Sequence, residues 1–140
     1  LKNQGDLWQL SGHQGTLDEG DEQAQQKIVN IFNDSNFSSP SLDELKKSLD
    51  AQEYTVLQWM IQHKDLVRID KDFYLLSNQI DYFIDALQNW FRINPELTVA
   101  QLREFIPTTR KYILPMLNYA ERKGILLRDG DVRRWVGEEL

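Results

Sequence analysis

Ser41-Leu42-Asp43-Glu44-Leu45-Lys46-Lys47-Ser48-Leu49 and Thr98-Val99-Ala100-Gln101-Leu102-Arg103-Glu104-Phe105-Ile106 carry the same pattern, 57 positions apart. Each starts with a hydroxyl residue and has Glu44 or Gln101 three places later, the capping box in which two side chains satisfy amide donors at a helix end. Pro40 and Pro95 stand just upstream, where the chain cannot yet be in a helix interior. The same shift lays Val56 over Ile113, Leu57 over Leu114 and Met60 over Leu117, so the apolar positions repeat. After a two-residue indel, residues 67–74 lie over residues 126–133. Both stretches read as two short strands around a turn, with Gly130 and its flanking aspartates as the tight-turn chemistry.

Ahead of the second capping box, Ile80, Phe83, Ile84, Leu87, Trp90 and Phe91 follow the three-and-four spacing of an amphipathic helix; Ile28, Ile31 and Phe32 are its weaker counterpart. Helix, two helices joined by a short turn, then a hairpin is the layout of a winged helix, whose last helix usually meets nucleic acid. The expected fold is therefore mainly α with small β-hairpins, as tandem winged-helix units. Residues 23–77 form the first unit and 78–140 the second. Residues 1–22, with the strand-like Leu7-Trp8-Gln9-Leu10 and a Gly- and acid-rich stretch, read as the end of a preceding module and a linker, so a piece of a longer protein is expected.

The 140 residues include no cysteine, which excludes disulfide scaffolds and thiolate zinc sites. No apolar run approaches the roughly 20 residues that cross a bilayer, and residues 1–6 lack an export signal, so no membrane partner and a soluble, cytoplasmic, monomeric piece are expected. His13 and His63 are far apart and have no Ser or metal-ligand pattern beside them, so neither a catalytic residue nor a metal site is expected. The acidic run 18–22 lacks the spaced oxygens and central Gly of a calcium loop and reads as solvated linker. Trp59, Trp90 and Trp135 fall on apolar stripes and read as core.

A net charge of −6 argues at first against a polyanion partner, but the charge is uneven. Residues 1–77 hold 7 Lys+Arg against 13 Asp+Glu, whereas residues 78–140 hold 9 of each, and 105–136 alone are net +4. Arg110 and Lys111 fall in the first turn of the second unit's last helix, which should begin near Thr108 or Thr109. Unpaired N–H groups and the positive dipole end make a phosphate seat there, and cations at that end oppose the dipole, so stability alone does not favour them. Arg133 and Arg134 point to opposite faces of a strand; Arg133 is the favoured contact, with Arg134 a partner for Asp129 or Glu138. Tyr112 either stacks on an unpaired base or, more commonly for a lone helical Tyr, packs under the wing. The first unit's third helix opens instead with Asp50-Ala51-Gln52-Glu53, which suits the dipole and repels phosphate, so that copy reads as scaffold.

Thr108-Thr109-Arg110-Lys111-Tyr112, then Leu114-Pro115-Met116-Leu117-Asn118-Tyr119, then Arg128-Asp129-Gly130-Asp131-Val132-Arg133 resemble the C-terminal winged helix of the bacterial selenocysteine-specific elongation factor family, SelB. Leu7-Trp8-Gln9-Leu10-Ser11-Gly12-His13 resembles the strand closing the second of that family's four winged helices, and Ser39-Pro40-Ser41-Leu42 resembles the start of the third. Leu127, where the family has the first Arg of a pair, and Asp129 depart from the pattern. The resemblance implies the third and fourth winged helices of a translation factor that delivers selenocysteinyl-tRNA to a recoded UGA on the ribosome, the fourth gripping the SECIS hairpin of the messenger RNA. It implies RNA contacts at Thr109, Arg110, Lys111, Tyr112, Arg128 and Arg133. It places GTP and Mg2+ in the full-length protein only, leaving this piece without cofactor or catalysis. The competing expectations are a tandem winged-helix DNA-binding regulator and a protein-interaction module working through the acidic first unit.

Overall fold

The computed structural model describes residues 18–138, so the strand-like stretch 7–10 lies outside the described residues. Helices α1 (Glu19–Asp34), α2 (Leu42–Ser48) and α3 (Ala51–Gln62) lead into the hairpin β1 (Leu66–Arg68) and β2 (Tyr74–Leu76). Helix α4 (Ser77–Phe91) then opens a second set, comprising β3 (Leu97–Thr98), α5 (Val99–Phe105), α6 (Arg110–Arg122), β4 (Leu126–Asp129) and β5 (Val132–Trp135). This is the expected winged-helix architecture.

The acidic run expected as linker is instead the start of α1. Asp18 caps the helix by accepting the Asp21 N–H at 2.7 Å, and Glu19, Asp21 and Glu22 occupy the first turn, where the dipole favours anions. Gly20, which suggested a loop, lies against α3, where a Cβ would meet the Gln52 amide at 2.8 Å.

Both capping boxes form: Ser41 with Glu44 on α2, and Thr98 with Gln101 on α5. The repeat continues with a different shift from the expected one. The backbone takes the left-handed turn at Lys64 (φ 68°) and Gly124 (φ 74°), and the next N–H in each copy, Asp65 or Ile125, reaches back to Met60 O or Ala120 O at 2.9 Å. Buried Leu66 and Leu126 then start the two hairpins, so Leu66, not Val67, is the equivalent of Leu126. A slip of one residue would reverse every strand side chain. The extra residues of the second copy lie in the α5–α6 connection, residues 106–109 against Leu49 and Asp50 alone in the first, and in α6, which has 13 residues to the 12 of α3.

Strand β3 was not expected. It makes a three-stranded sheet of order β3-β5-β4, with Leu97 opposite Arg133 and Thr98 opposite Val132. The corresponding place in the first copy holds Pro40, which has no N–H for a ladder. There the Ser39 hydroxyl donates to Tyr74 O at 2.7 Å and the Leu42 N–H to Asp72 O at 3.1 Å.

One core gathers Ile28, Phe32, Leu45, Val56, Leu57 and Met60. The other joins Phe83, Leu87, Leu102, Ile113 and Leu117 to Phe37, Ile69, Phe73 and Leu75 of the first set, so the two sets share buried surface. The buried Gln79 amide on α4 donates to Phe32 O and Asn36 O at 3.1 and 2.6 Å and accepts from Leu76 N, tying α1 to the second set. Helix α6 therefore has two covered stripes. Ile113, Met116, Leu117 and Ala120 fill its own core, while Tyr112 meets Phe73 edge-on at 5.4 Å and Arg122 Nη2 donates to Ile69 O at 2.6 Å.

Candidate nucleic-acid interface

Helix α5 ends at Phe105 with Ile106 as its C-cap, and Pro107 forbids its continuation, so the chain turns before Thr109, the N-cap of α6. Thr108 is held in place by its hydroxyl, 2.6 Å from that of Ser38. Thr109 has the extended backbone of an N-cap, but its side chain makes no capping hydrogen bond. Helices α1, α2, α3 and α5 all close their first turn with a side-chain oxygen. At α6 the Tyr112 and Ile113 N–H groups both turn to Thr109 O at 3.0 Å, which leaves the first-turn donors ahead of them facing outward. No acidic residue stands in this turn; Arg110 and Lys111 stand there, both exposed.

The two cations differ in surroundings. Arg110 has no ion-pair partner among the described residues. Lys111 lies 5.4 Å from the Tyr112 ring centroid and lines a cleft of about 210 Å3 with Glu44, Asp70, Asp72 and Pro115. Glu44 is held below its ordinary range first by the Ser41 N–H and hydroxyl, with Lys111 adding a smaller charge effect. Tyr112 is half-buried against Phe73, so its ring serves the packing between the two sets. Pro115 offers no N–H to the Lys111 carbonyl one turn earlier, yet α6 runs on through it.

On the wing, strands β4 and β5 are joined by Gly130 and Asp131. Gly130 has φ 63°, the left-handed conformation that a two-residue hairpin needs and that costs glycine least. Arg128 is exposed and its Nε donates to Gly130 O at 3.3 Å. Arg133 is a correction. It was expected to face a ligand, but it pairs with Arg128 across the ladder on the face turned toward α6, where its side chain is 4% exposed and its Nε donates to Glu121 at 2.8 Å. The alternation of strand side chains does separate Arg133 from Arg134, but the inward face belongs to Arg133. Arg134 bonds Asp129 at 2.8 Å and Glu96 at 2.5 Å on the outer face. The sequence expectation named Asp129 and missed Glu96, because β3, which carries Glu96 to the sheet, left no periodic signal.

Residues 89–135 match the family described as elongation factor SelB, winged helix. The C-terminal unit is thus similar to a SelB winged helix. That family is named for the third winged helix of SelB, whereas the resemblance in the sequence implied the fourth. All six residues expected to contact RNA lie inside the matched span. Over 69 residues the chain is 29% identical to the selenocysteine-specific elongation factor of Desulfomicrobium baculatum, covering 49% of this chain and 11% of that protein. The chain thus spans about a tenth of the curated relative it matches. Its fold is that of two solved structures. The mRNA-binding domain of elongation factor SelB from E. coli in complex with SECIS RNA aligns at a TM-score of 0.66 and 21% identity, over 86% of this chain and 100% of that one. A bacterial selenocysteine-specific elongation factor, EF-Sec, aligns at 0.64 and 22%, over 94% of this chain and 21% of that one. Among the described residues no helix is long and apolar enough to cross a membrane.

Proposed function

We propose that this chain is an RNA-binding region of a selenocysteine-specific translation elongation factor, and that its SelB winged helix grips the SECIS hairpin of a messenger RNA to direct selenocysteine into protein at UGA. Selenocysteinyl-tRNA, the ribosome, GTP and Mg2+ belong in this reading to the rest of the factor, and this region binds without catalysis in the cytoplasm. The observation that carries the reading is the open, cationic start of α6. Unpaired first-turn N–H groups at Arg110 and Lys111, the side chains of the same two residues and the positive dipole end together suit a phosphate. Arg128 on the wing supplies a further cation.

The covered stripes of α6 favour a hairpin over duplex DNA. A recognition helix that reads a major groove needs polar side chains along its length, but Ile113, Met116 and Leu117 face the core and Tyr112 and Arg122 face the first set. Contact through one helix tip and a wing suits a splayed loop or bulge. With roughly three phosphates neutralised, log K should fall against log salt with a slope of roughly −2 to −3. Equilibrium binding of a selenoprotein-messenger hairpin, a loop-mutated hairpin and a duplex DNA of equal length tests this. The expected order places the intact hairpin tightest; equal affinity for all three, or preference for the duplex, overturns it.

A further inference from the structure

A second cationic concavity of the described residues lies away from the α6 start. It is a cleft of about 560 Å3 between the hairpin of the first set and the far end of α6, and Lys64, Arg68, Lys71, Arg122 and Lys123 line it against one acid, Asp70. Arg122 lies twelve residues along the helix from Arg110, roughly 18 Å at 1.5 Å per residue. None of the five cations has a carboxylate ion pair among the described residues. Arg68 and Arg122 bond only the carbonyls of Asp70 and Ile69, and Lys123 lies over the Tyr119 ring at 5.6 Å.

Helix dipoles account for part of this charge, since Lys64, Arg122 and Lys123 sit at the ends of α3 and α6, where cations are stabilising. They do not account for Arg68 and Lys71, which stand on a strand and in a turn. Nor do they account for the backbone at Lys64. It occupies the left-handed position that Gly124 fills in the second copy, a conformation disfavoured for any residue with a Cβ. Tyr74 and Tyr119 line the same cleft, each half-buried, and burial pushes the Tyr119 hydroxyl above its ordinary 10.0, so it stays a neutral donor. Unpaired cations around aromatic faces are the furniture of single-stranded nucleic-acid sites, where cations track phosphates and rings take bases. An acidic peptide would use the charges but not the rings.

We infer that this cleft is a second RNA-binding surface, built jointly by the two winged-helix units, which takes a single-stranded stretch of RNA separate from the one held at the α6 start. The first unit, acidic in sum, contributes three of the five cations, so it is more than the scaffold its own helix start suggests.

The test uses the intact chain and a labelled 20-nucleotide single-stranded RNA of mixed sequence containing 4-thiouridine, with the hairpin present at saturation. The strand should still bind and should crosslink to Tyr74 or Tyr119. The exposed triple variant Arg68→Gln, Lys71→Gln, Lys123→Gln should weaken strand binding at least ten-fold while changing hairpin affinity less than two-fold, with an unchanged melting temperature. Arg110→Ala should do the reverse. If the triple variant binds the strand like wild type, if saturating hairpin expels the strand, or if a poly-glutamate peptide of equal length competes better than RNA, the inference is overturned. If Arg110→Ala leaves the hairpin bound while the triple variant loses the strand, the cleft stands and the reading of the α6 start falls.

Discussion

Helices α3 and α6 occupy the same place in their two units, yet their first turns are built in opposite ways. On α3, Asp50 accepts the Glu53 N–H at 2.8 Å and Glu53 accepts the Asp50 N–H at 2.9 Å, while Lys27 reaches Glu53 at 3.0 Å from α1. The Asp50 and Glu53 N–H groups of that end are both satisfied by side chains inside the protein. On α6 the cap side chain is idle, the carboxylates are gone, and two cations stand against the dipole. The α5–α6 connection that leads to this unsealed end is two residues longer than the α2–α3 connection. One architecture thus yields a closed helix end that contributes stability and an open one that, in the function proposed here, gives up stability for an anion.

The comparison can be broken first at the joint between the units. Leu75 belongs to the first hairpin by chain position but to the second core by packing, and it is fully buried. Leu75→Ala should cost about 2–5 kcal/mol and melt both units together; a separate early transition of the first unit alone, seen by calorimetry, would show that they are energetically independent. Next, Arg133→Ala should destabilise by about 2–3 kcal/mol, toward the low side for loss of a buried partner because Glu121 keeps some solvent. At a temperature where the variant is folded, hairpin affinity should change less than two-fold. A large affinity loss without a stability loss would return Arg133 to the RNA surface.

Smaller effects sharpen the contrast between the two helix starts. Asp50→Ala should cost about 1 kcal/mol in denaturant unfolding, and Thr109→Ala only a few tenths, since Thr109 makes no side-chain capping bond. Acid should separate them too. The Asp50 N–H first, and Lys27 second, hold the Glu53 carboxyl below its ordinary 4.5. A depressed carboxylate contributes stability above its unfolded pKa and loses it as pH falls through the folded value. Exchange protection at the α3 start should therefore decline below about pH 4.5 while that at α6, which has no carboxylate, stays flat.

Much of the fold was legible because it was written in local chemistry: two capping boxes, a three-and-four apolar stripe, a Gly–Asp turn. What escaped depended on contacts distant in sequence. The two-residue strand β3 is too short for a period and exists because β5 lies beside it. The start of α1 was hidden because an acidic run with a glycine composes a linker as well as a first helical turn. At the site, the sequence placed Arg110 and Lys111 at an open helix end, since spacing fixes that locally. It could not decide which of Arg133 and Arg134 faced inward, because that depends on where Glu121 stands on another element. Nor could it see that Lys111 shares a cleft with acids of the other unit.

The most direct test gives α6 the seal that α3 has. Thr109→Asp supplies a capping carboxylate and a negative charge at the proposed phosphate seat, so it should leave the melting temperature unchanged or raised. Hairpin affinity, measured by equilibrium titration at fixed salt, is predicted to fall at least ten-fold. A variant that binds the hairpin as tightly as wild type would contradict the claim that RNA is held at the open start of this helix.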